Sequence, residues 1–531
     1  MIDDSLKSPI TNVFVLMLEN HSFDHIFAMS GIPGIQAATV HDSNSYVDPA
    51  TGEPKTCYVQ DGAPPSMTTD PGHEFEDVGQ QLCGCKFPSL PVNPYPAVNN
   101  SGFACSYATS ISEDTGRPAP GHVCDIMACF HTETQLPVIY QLAREFAICD
   151  NWFSSMPGPT WPNRFFVHGA SSAGLDRSPN FEEELQWETY DGFQFEHGSI
   201  FDALKPNQWR LYNDYHNRFS DQPSSWEDGG WISQVASLKN LDILDVHPLA
   251  SVFSDHPAGR FVNDLQGDYP YPYTFIEPNF GRSFGKPLTY KGGSSQHPED
   301  DAYGGEGLVK AVYEAIRNSP LWNTSLLVIV YDEHGGFYDS VKPGCAVAPG
   351  DKTMVENLQL KTHGFDFSQY GVRVPAVIVS PLIPKGKVDH TLYDHSSILA
   401  TVERLLSLPP LTKRDEAAND LRGLLTLPVP REDCPTELNA PASPIPNKPV
   451  VTEQMIADMS DHPLPESGNL IGFLTILLKT EMKGADAETR ARILSEFRKI
   501  KTIGAARAYS LRMRSQIEAA RKLQDEGQAS C

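Results

Sequence analysis

The chain has 531 residues, 40% of them hydrophobic, and a formal net charge of -26. That length suits one large α/β domain with additions, or a few smaller units, and the charge excludes a nucleic-acid-binding role because phosphate backbones would be repelled. No apolar run reaches the roughly 18 residues that a membrane-spanning helix requires, and the acidic start Met1-Ile2-Asp3-Asp4 lacks the basic and apolar stretches of a secretory signal. A cytoplasmic protein is expected on that ground, and a secreted or periplasmic one if the sequence is a processed form.

Residues 13–18 (VFVLML) form a short unbroken apolar run, as a strand covered on both faces of a parallel sheet would. Glu19 and Asn20 follow it directly. The stretch from about 40 to 120 is polar and turn-rich and reads as an insertion over one face. Seven of the ten cysteines fall between Cys57 and Cys149, most of them in this loop-like region. Loop cysteines suggest disulfides and an oxidising compartment, whereas the missing signal suggests a reducing one. Cys-x-x-Cys pairs are absent, which argues against a structural zinc site.

The segment Pro157-Gly158-Pro159-Thr160-Trp161-Pro162-Asn163-Arg164 comes next. Thr160 with Pro162 reads as an N-cap and first helical turn, and a hydroxyl there faces the positive end of the helix. Such a group binds phosphate oxygens and becomes a nucleophile if a metal lowers its pKa. Arg164 would clamp a phosphate, and Asn163 would donate a hydrogen bond to it. By itself the segment reads first as an ordinary threonine cap.

Residues 176–305 again read as a polar insertion. A helical pattern follows over 308–316, then a second buried run, 326–331 (LLVIVY), which ends in Asp332-Glu333-His334-Gly335-Gly336. The run 374–380 (VPAVIVS) and the helical stretch 396–406 complete the alternation. Short strands alternating with helices indicate an α/β fold with a mainly parallel sheet flanked by helices. In such sheets the active site lies beyond the carboxyl ends of the strands. Two strands therefore deliver Glu19, Asn20, Asp332 and Glu333 to one edge. Carboxylates that converge repel one another unless a cation lies between them. Oxygen ligands select calcium, magnesium or manganese rather than zinc, and a bound ion would supply the local positive charge that this acidic chain lacks.

The division expected is a catalytic domain over 1–425, a Pro-rich linker over 426–450, and a helical C-terminal region over 451–531. Between Lys479 and Lys522 there are twelve Lys/Arg against five Asp/Glu, a local balance of +7 that leaves -33 for the rest. Ile493, Phe497 and Ile500 recur at helical spacing. Two readings follow: a helix docked on the acidic body, or a peripheral membrane contact through basic amphipathic helices.

Together these segments resemble a known family. Glu19-Asn20-His21-Ser22-Phe23-Asp24-His25, Thr160-Trp161-Pro162-Asn163-Arg164 and Tyr331-Asp332-Glu333-His334-Gly335-Gly336-Phe337-Tyr338-Asp339 resemble, in order, three motifs of the phosphoesterase family that contains non-specific phospholipases C and related acid phosphatases. Gly371-Val372-Arg373-Val374-Pro375 and Asp394-His395-Ser396-Ser397 resemble two further signatures. The resemblance covers roughly residues 10–410, and His21 stands where that motif usually has Arg. It implies an alkaline-phosphatase-like fold, with Glu19, Asn20, Asp332 and Glu333 holding a divalent metal ion. Thr160 would be both a metal ligand and the attacking nucleophile. His73, His297 and His334 would surround the phosphate, with His131, His216 and His395 as weaker candidates. The implied substrate is a phosphate ester, such as a phospholipid hydrolysed in phospholipase C fashion. A broad-specificity acid phosphatase using the same site is the alternative, and a non-catalytic metal- or lipid-surface-binding protein is a third reading.

Overall fold

The computed structural model describes residues 9–88, 91–111, 116–214, 234–249, 260–281, 290–354, 363–442, 453–465 and 469–529. Eight strands form its central sheet: β1 (Asn12–Leu18), β2 (Ala147–Cys149), β3 (Trp209–Asp214), β4 (Val246–Leu249), β5 (Tyr273–Glu277), β6 (Ser325–Tyr331), β7 (Ala376–Val379) and β8 (Lys387–Asp389). Their spatial order is β8-β2-β7-β6-β1-β5-β3-β4. β1 lies at the centre, paired in parallel with β6 on one side and β5 on the other. Every residue of β1 and of β6 is buried, which is why both read as continuous apolar runs rather than alternating ones. The register pairs Leu18 with Tyr331, so the two strands end level and release their next residues side by side.

β7 departs from the parallel pattern expected of 374–380. It runs antiparallel to both β6 and β2. A fully covered strand is apolar in either direction, so the run could not signal its sense. A larger difference concerns 176–305. This stretch, read as a polar insertion over one face, supplies three of the eight sheet strands, β3, β4 and β5. β3 carries polar residues inside a covered strand (WRLYND), and β5 is only five residues long, so neither shows a clean apolar period.

The described residues of the 40–120 segment pack as a cap. A hairpin (Ser43–Val47 with Pro54–Tyr58) packs against helices Phe75–Cys83 and Phe103–Thr109 around a small core that includes Tyr46, Val78, Leu82, Phe103 and Tyr107. Disulfides Cys57–Cys124 and Cys85–Cys105 tie it together. Five further cysteines are free thiols among the described residues.

A second fastening joins the segments that follow β1, β2 and β6. Arg373, fully buried, donates to Asp24 (3.0 Å), to both carboxylate oxygens of Asp339 (3.1 and 3.2 Å), and to the carbonyls of Gln36 and Asp150. Its guanidinium also lies 4.2 Å from the ring centroid of Phe23. A planar donor fork is what a buried site with two carboxylates demands. Three of the recognisable motifs thus meet on one side chain.

The C-terminal helices, Asn469–Met482, Ala487–Phe497 and Ile503–Ala529, pack on the body. Lys479 reaches the carbonyls of Ala236 (2.9 Å) and Leu238 (2.6 Å), Thr475 donates to Glu184 (3.1 Å), and Arg490 pairs with Asp191. Ile493 and Phe497 are buried in the common core, with Phe497 against Phe181 and Tyr509. The apolar face that would enter a bilayer is therefore turned into the protein. The last part of the expected linker, 443–450, lies outside the described residues. No described helix is long and apolar enough to cross a membrane.

Phe497→Ala is expected to lower unfolding stability by about 3–5 kcal/mol, the cost of an aromatic cavity in a core. Urea unfolding followed by circular dichroism measures it. A loss below about 1 kcal/mol would show that this face is not docked in solution.

Candidate active site

The level ends of β1 and β6 place Glu19-Asn20 beside Asp332-Glu333. The Asn20 backbone N–H donates to Asp332 Oδ1 (3.1 Å), and the Glu333 N–H donates to the same oxygen (2.7 Å). Asn20 adopts φ +58°, and Gly335 adopts φ +63°. A β-carbon on Gly335 would lie 2.1 Å from the Asn20 carbonyl oxygen, so the two turns touch through a position that only glycine can fill.

Thr160 opens the helix Thr160–Gly169, but it is not the cap. Pro159 occupies that position, and no side chain caps the helix. The Thr160 hydroxyl is accordingly free of the backbone and donates to Asn20 Oδ1 at 3.3 Å. Structure and sequence thus agree on which residues meet, and differ on how Thr160 is held.

Glu19, Asp332 and Glu333 are all buried. Burial raises each of them above the ordinary carboxylate range. Asp332 adds to the effect on Glu19, and Glu333 is pushed up to about 8, with His73 opposing the shift. Arg164 ion-pairs with Glu277 and lies 3.4 Å from Asp332. Glu19 and Glu333 have no bridge to lysine or arginine among the described residues, and Glu19 Oε2 and Glu333 Oε1 are buried without a hydrogen-bond partner. Orphaned carboxylate oxygens beside an amide oxygen and a hydroxyl are the donor set of a hard divalent cation. Among the described residues no three His, Cys, Asp or Glu side chains are grouped as a metal site.

The histidines take distinct places. His73 Nδ1 lies 3.8 Å from Glu333 Oε1, and the rings of His73 and His297 meet edge to face at 6.5 Å. His297 is buried, stacked at 3.5 Å on Tyr290, and burial holds it neutral well below the usual imidazole range. His334 Nδ1 lies 3.3 Å from Glu333 Oε2, and its Nε2 lies 2.6 Å from Gln81 Oε1. His131 is exposed beside Asp61, whereas His395 is buried, with Nε2 2.6 Å from the Asp332 carbonyl. His216 lies outside the described residues. His21 pairs with His25 (Nδ1 to Nδ1, 2.8 Å) and packs on Phe337, a buried neutral ring where the family motif has a charge.

The two donors expected at the phosphate are engaged elsewhere. The Asn163 amide donates to the carbonyls of Met156, Gly158 and Pro159, and its oxygen accepts from Met156 N, so it staples the turn that leads into Thr160. Arg164 is fully buried against Glu277 and Asp332. Glu277 itself was not expected. It ends β5 just as Glu19 follows β1, a signal hidden because 176–305 read as an insertion.

A model described as "Phosphoesterase family" matches residues 10–409. The non-specific phospholipase C6 of Arabidopsis thaliana is 34% identical over 449 residues, covering 81% of this chain and 75% of that one. The phospholipase C B of Mycobacterium tuberculosis H37Rv is 24% identical over 459 residues, covering 81% and 80%. Among solved structures, an alkaline phosphatase superfamily protein from Vibrio parahaemolyticus overlaps 56% of this chain and 66% of its own, at 14% identity and a TM-score of 0.30.

The raised carboxylates have a measurable consequence. A folded-state pKa of about 8 against an ordinary value of 4.5 means that Glu333 favours the cation-free fold below pH ~4.5 and loses that contribution as the pH climbs to about 8. A bound divalent cation removes the loss. The gain in melting temperature on adding manganese or calcium to chelator-treated protein is expected to grow from pH 5 to pH 8. A gain independent of pH, or none, would contradict this electrostatic origin.

Proposed function

This chain belongs to the phosphoesterase family, and from that premise we propose that it is a metal-dependent phosphodiesterase of phospholipase C type, acting on diesters such as phosphatidylcholine through a phosphorylated Thr160. The observation that carries the reading is the Thr160 hydroxyl lying 3.3 Å from Asn20 Oδ1, at the edge where buried Glu19 and Asp332 converge. A hard divalent cation held by Glu19, Asn20, Thr160, Asp332 and Glu333 would lower the hydroxyl pKa and neutralise charge on the phosphoryl oxygens.

Thr160 Oγ1 attacks phosphorus in line, and the bond to the departing alcohol breaks. His73, the one of the three histidines that is not fully buried, takes up the proton that Thr160 releases and hands it to the leaving alkoxide, while buried, neutral His297 and His334 line the site. Water then attacks the phosphothreonine from the vacated side and restores the hydroxyl. Asn163 and Arg164 act here by position. Asn163 fixes the 156–159 turn, and Arg164 fixes Asp332 and Glu277.

Two points favour a diester. The Arabidopsis and Mycobacterium relatives carry phospholipase C names. A monoester dianion would also bring one more negative charge than a diester against three buried carboxylates.

Turnover of p-nitrophenylphosphorylcholine and of p-nitrophenyl phosphate, each with and without chelator, tests the proposal. Chelator-sensitive hydrolysis of the choline diester well above the monoester is expected. Preference for the monoester would make the protein an acid phosphatase on the same residues, and cation binding without turnover would make it a binding protein. Thr160→Ala is expected to cost on the order of 10³-fold or more in kcat, whereas Thr160→Ser keeps measurable activity.

A further inference from the structure

We infer that Gln81 is a positioning residue that holds two of the site's histidine segments as one unit, an inference that rests on the esterase reading above for its catalytic consequence. Gln81 sits in the cap helix Phe75–Cys83, outside every motif that marks the family, and its side chain is buried. Its amide nitrogen donates to the Gly72 carbonyl (2.7 Å), the residue before His73, and to Ser106 Oγ (3.2 Å). Its amide oxygen lies 2.6 Å from His334 Nε2. One side chain therefore bridges the loop of His73 and the ring of His334.

The bridge fixes more than distance. An amide NH₂ has two hydrogens, and both are engaged by oxygen acceptors, Gly72 and Ser106. The oxygen is then the atom left for His334, and an acceptor there requires the proton on His334 Nε2. His334 Nδ1 is left bare and turned toward Glu333 Oε2, 3.3 Å away. The same arrangement that sets this tautomer sets the peptide from which His73 faces Glu333 Oε1 at 3.8 Å. Ring and loop are pressed together here. Gly336 has φ +77°, and a β-carbon on it would lie 2.8 Å from the Gly72 carbonyl oxygen and 3.4 Å from Gln81 Nε2. The cap, stapled by Cys85–Cys105 just beyond the C-terminal end of the helix that carries Gln81, is thus the part of the chain that sets the histidine geometry.

This is a role for the cap that differs from covering the sheet. Packing would be satisfied by any side chain of similar volume, whereas the bridge needs both the donor and the acceptor of an amide. Gln81→Met keeps length and bulk and removes both. Ser106→Ala removes the third partner of the amide and touches neither histidine.

The first readout is the tautomer of His334, taken from long-range ¹H–¹⁵N spectra of histidine-labelled full-length protein and assigned by difference with His334→Gln. The wild type and Ser106→Ala are expected to show the Nε2–H form, and Gln81→Met to lose it. The second is leaving-group dependence. If Gln81 sets the loop of His73, the histidine that protonates the leaving alcohol, Gln81→Met should lose about tenfold or more in kcat on an alkyl phosphodiester, with KM little changed. It should lose only about threefold on the p-nitrophenyl diester, whose leaving group needs little help. Ser106→Ala should stay within about twofold on both. An unchanged His334 tautomer in Gln81→Met overturns the inference, as does an equal loss on the two esters. A tautomer change in a protein that hydrolyses neither ester would instead overturn the esterase reading and leave the bridge standing.

Discussion

Carboxylates buried together repel one another, and the structure of this site depends on how that repulsion is relieved. Glu19, Asp332 and Glu333 arrive at one edge because β1 and β6 are neighbours ending in register. Arg164 relieves part of the repulsion by facing Asp332 and Glu277, and it is itself fixed by the helix that begins with Thr160. The remaining charge, on Glu19 and Glu333, has no salt bridge to lysine or arginine among the described residues, with Arg164 acting on Glu19 only at longer range, and has buried oxygens without partners. A fold that accepted such a cost with no compensating ion would be sacrificing stability for nothing, since each buried charge left unpaired is worth several kcal/mol. Placed beside these carboxylates, the Thr160 hydroxyl acquires chemistry that an ordinary helix start lacks.

Around that centre the molecule is built in shells of decreasing severity. Arg373 locks the β1 and β6 extensions to each other through Asp24 and Asp339. The Asn163 staple shapes the turn before Thr160. The disulfide-tied cap then reaches in with a single amide, Gln81, to address the histidines. Each layer uses a different interaction, but all act on the same few ångströms where the two central strands end.

Much of this was legible in the residues. The two buried apolar runs announced β1 and β6. The polar residues directly after them read as a candidate site, because carboxylates released at the end of a covered strand meet at the sheet edge where ligands bind, and the structure does bring them side by side. Thr160 and the histidines were legible through the family motifs. What was not legible had physical reasons. The strand sense of β7 leaves no mark on a fully buried run. β3, β4 and β5 carry polar residues or are short, so Glu277 stayed hidden at the end of a strand that did not look like one. Asn163 and Arg164 have the chemistry of phosphate ligands, and only their hydrogen bonds reveal that a turn and two carboxylates hold them instead. Gln81 belongs to no local pattern, since its meaning lies in three partners spread from 9 to 253 residues away in the chain.

The most direct test of the central claim, that a cation relieving the buried carboxylates arms Thr160, is a rapid acid quench of the protein during turnover of a phosphodiester, with peptide mapping by mass spectrometry. A phosphate adduct is predicted on the peptide carrying Thr160, present in cation-loaded protein and absent after chelation. Turnover with no adduct, or an adduct on another residue, would contradict the claim.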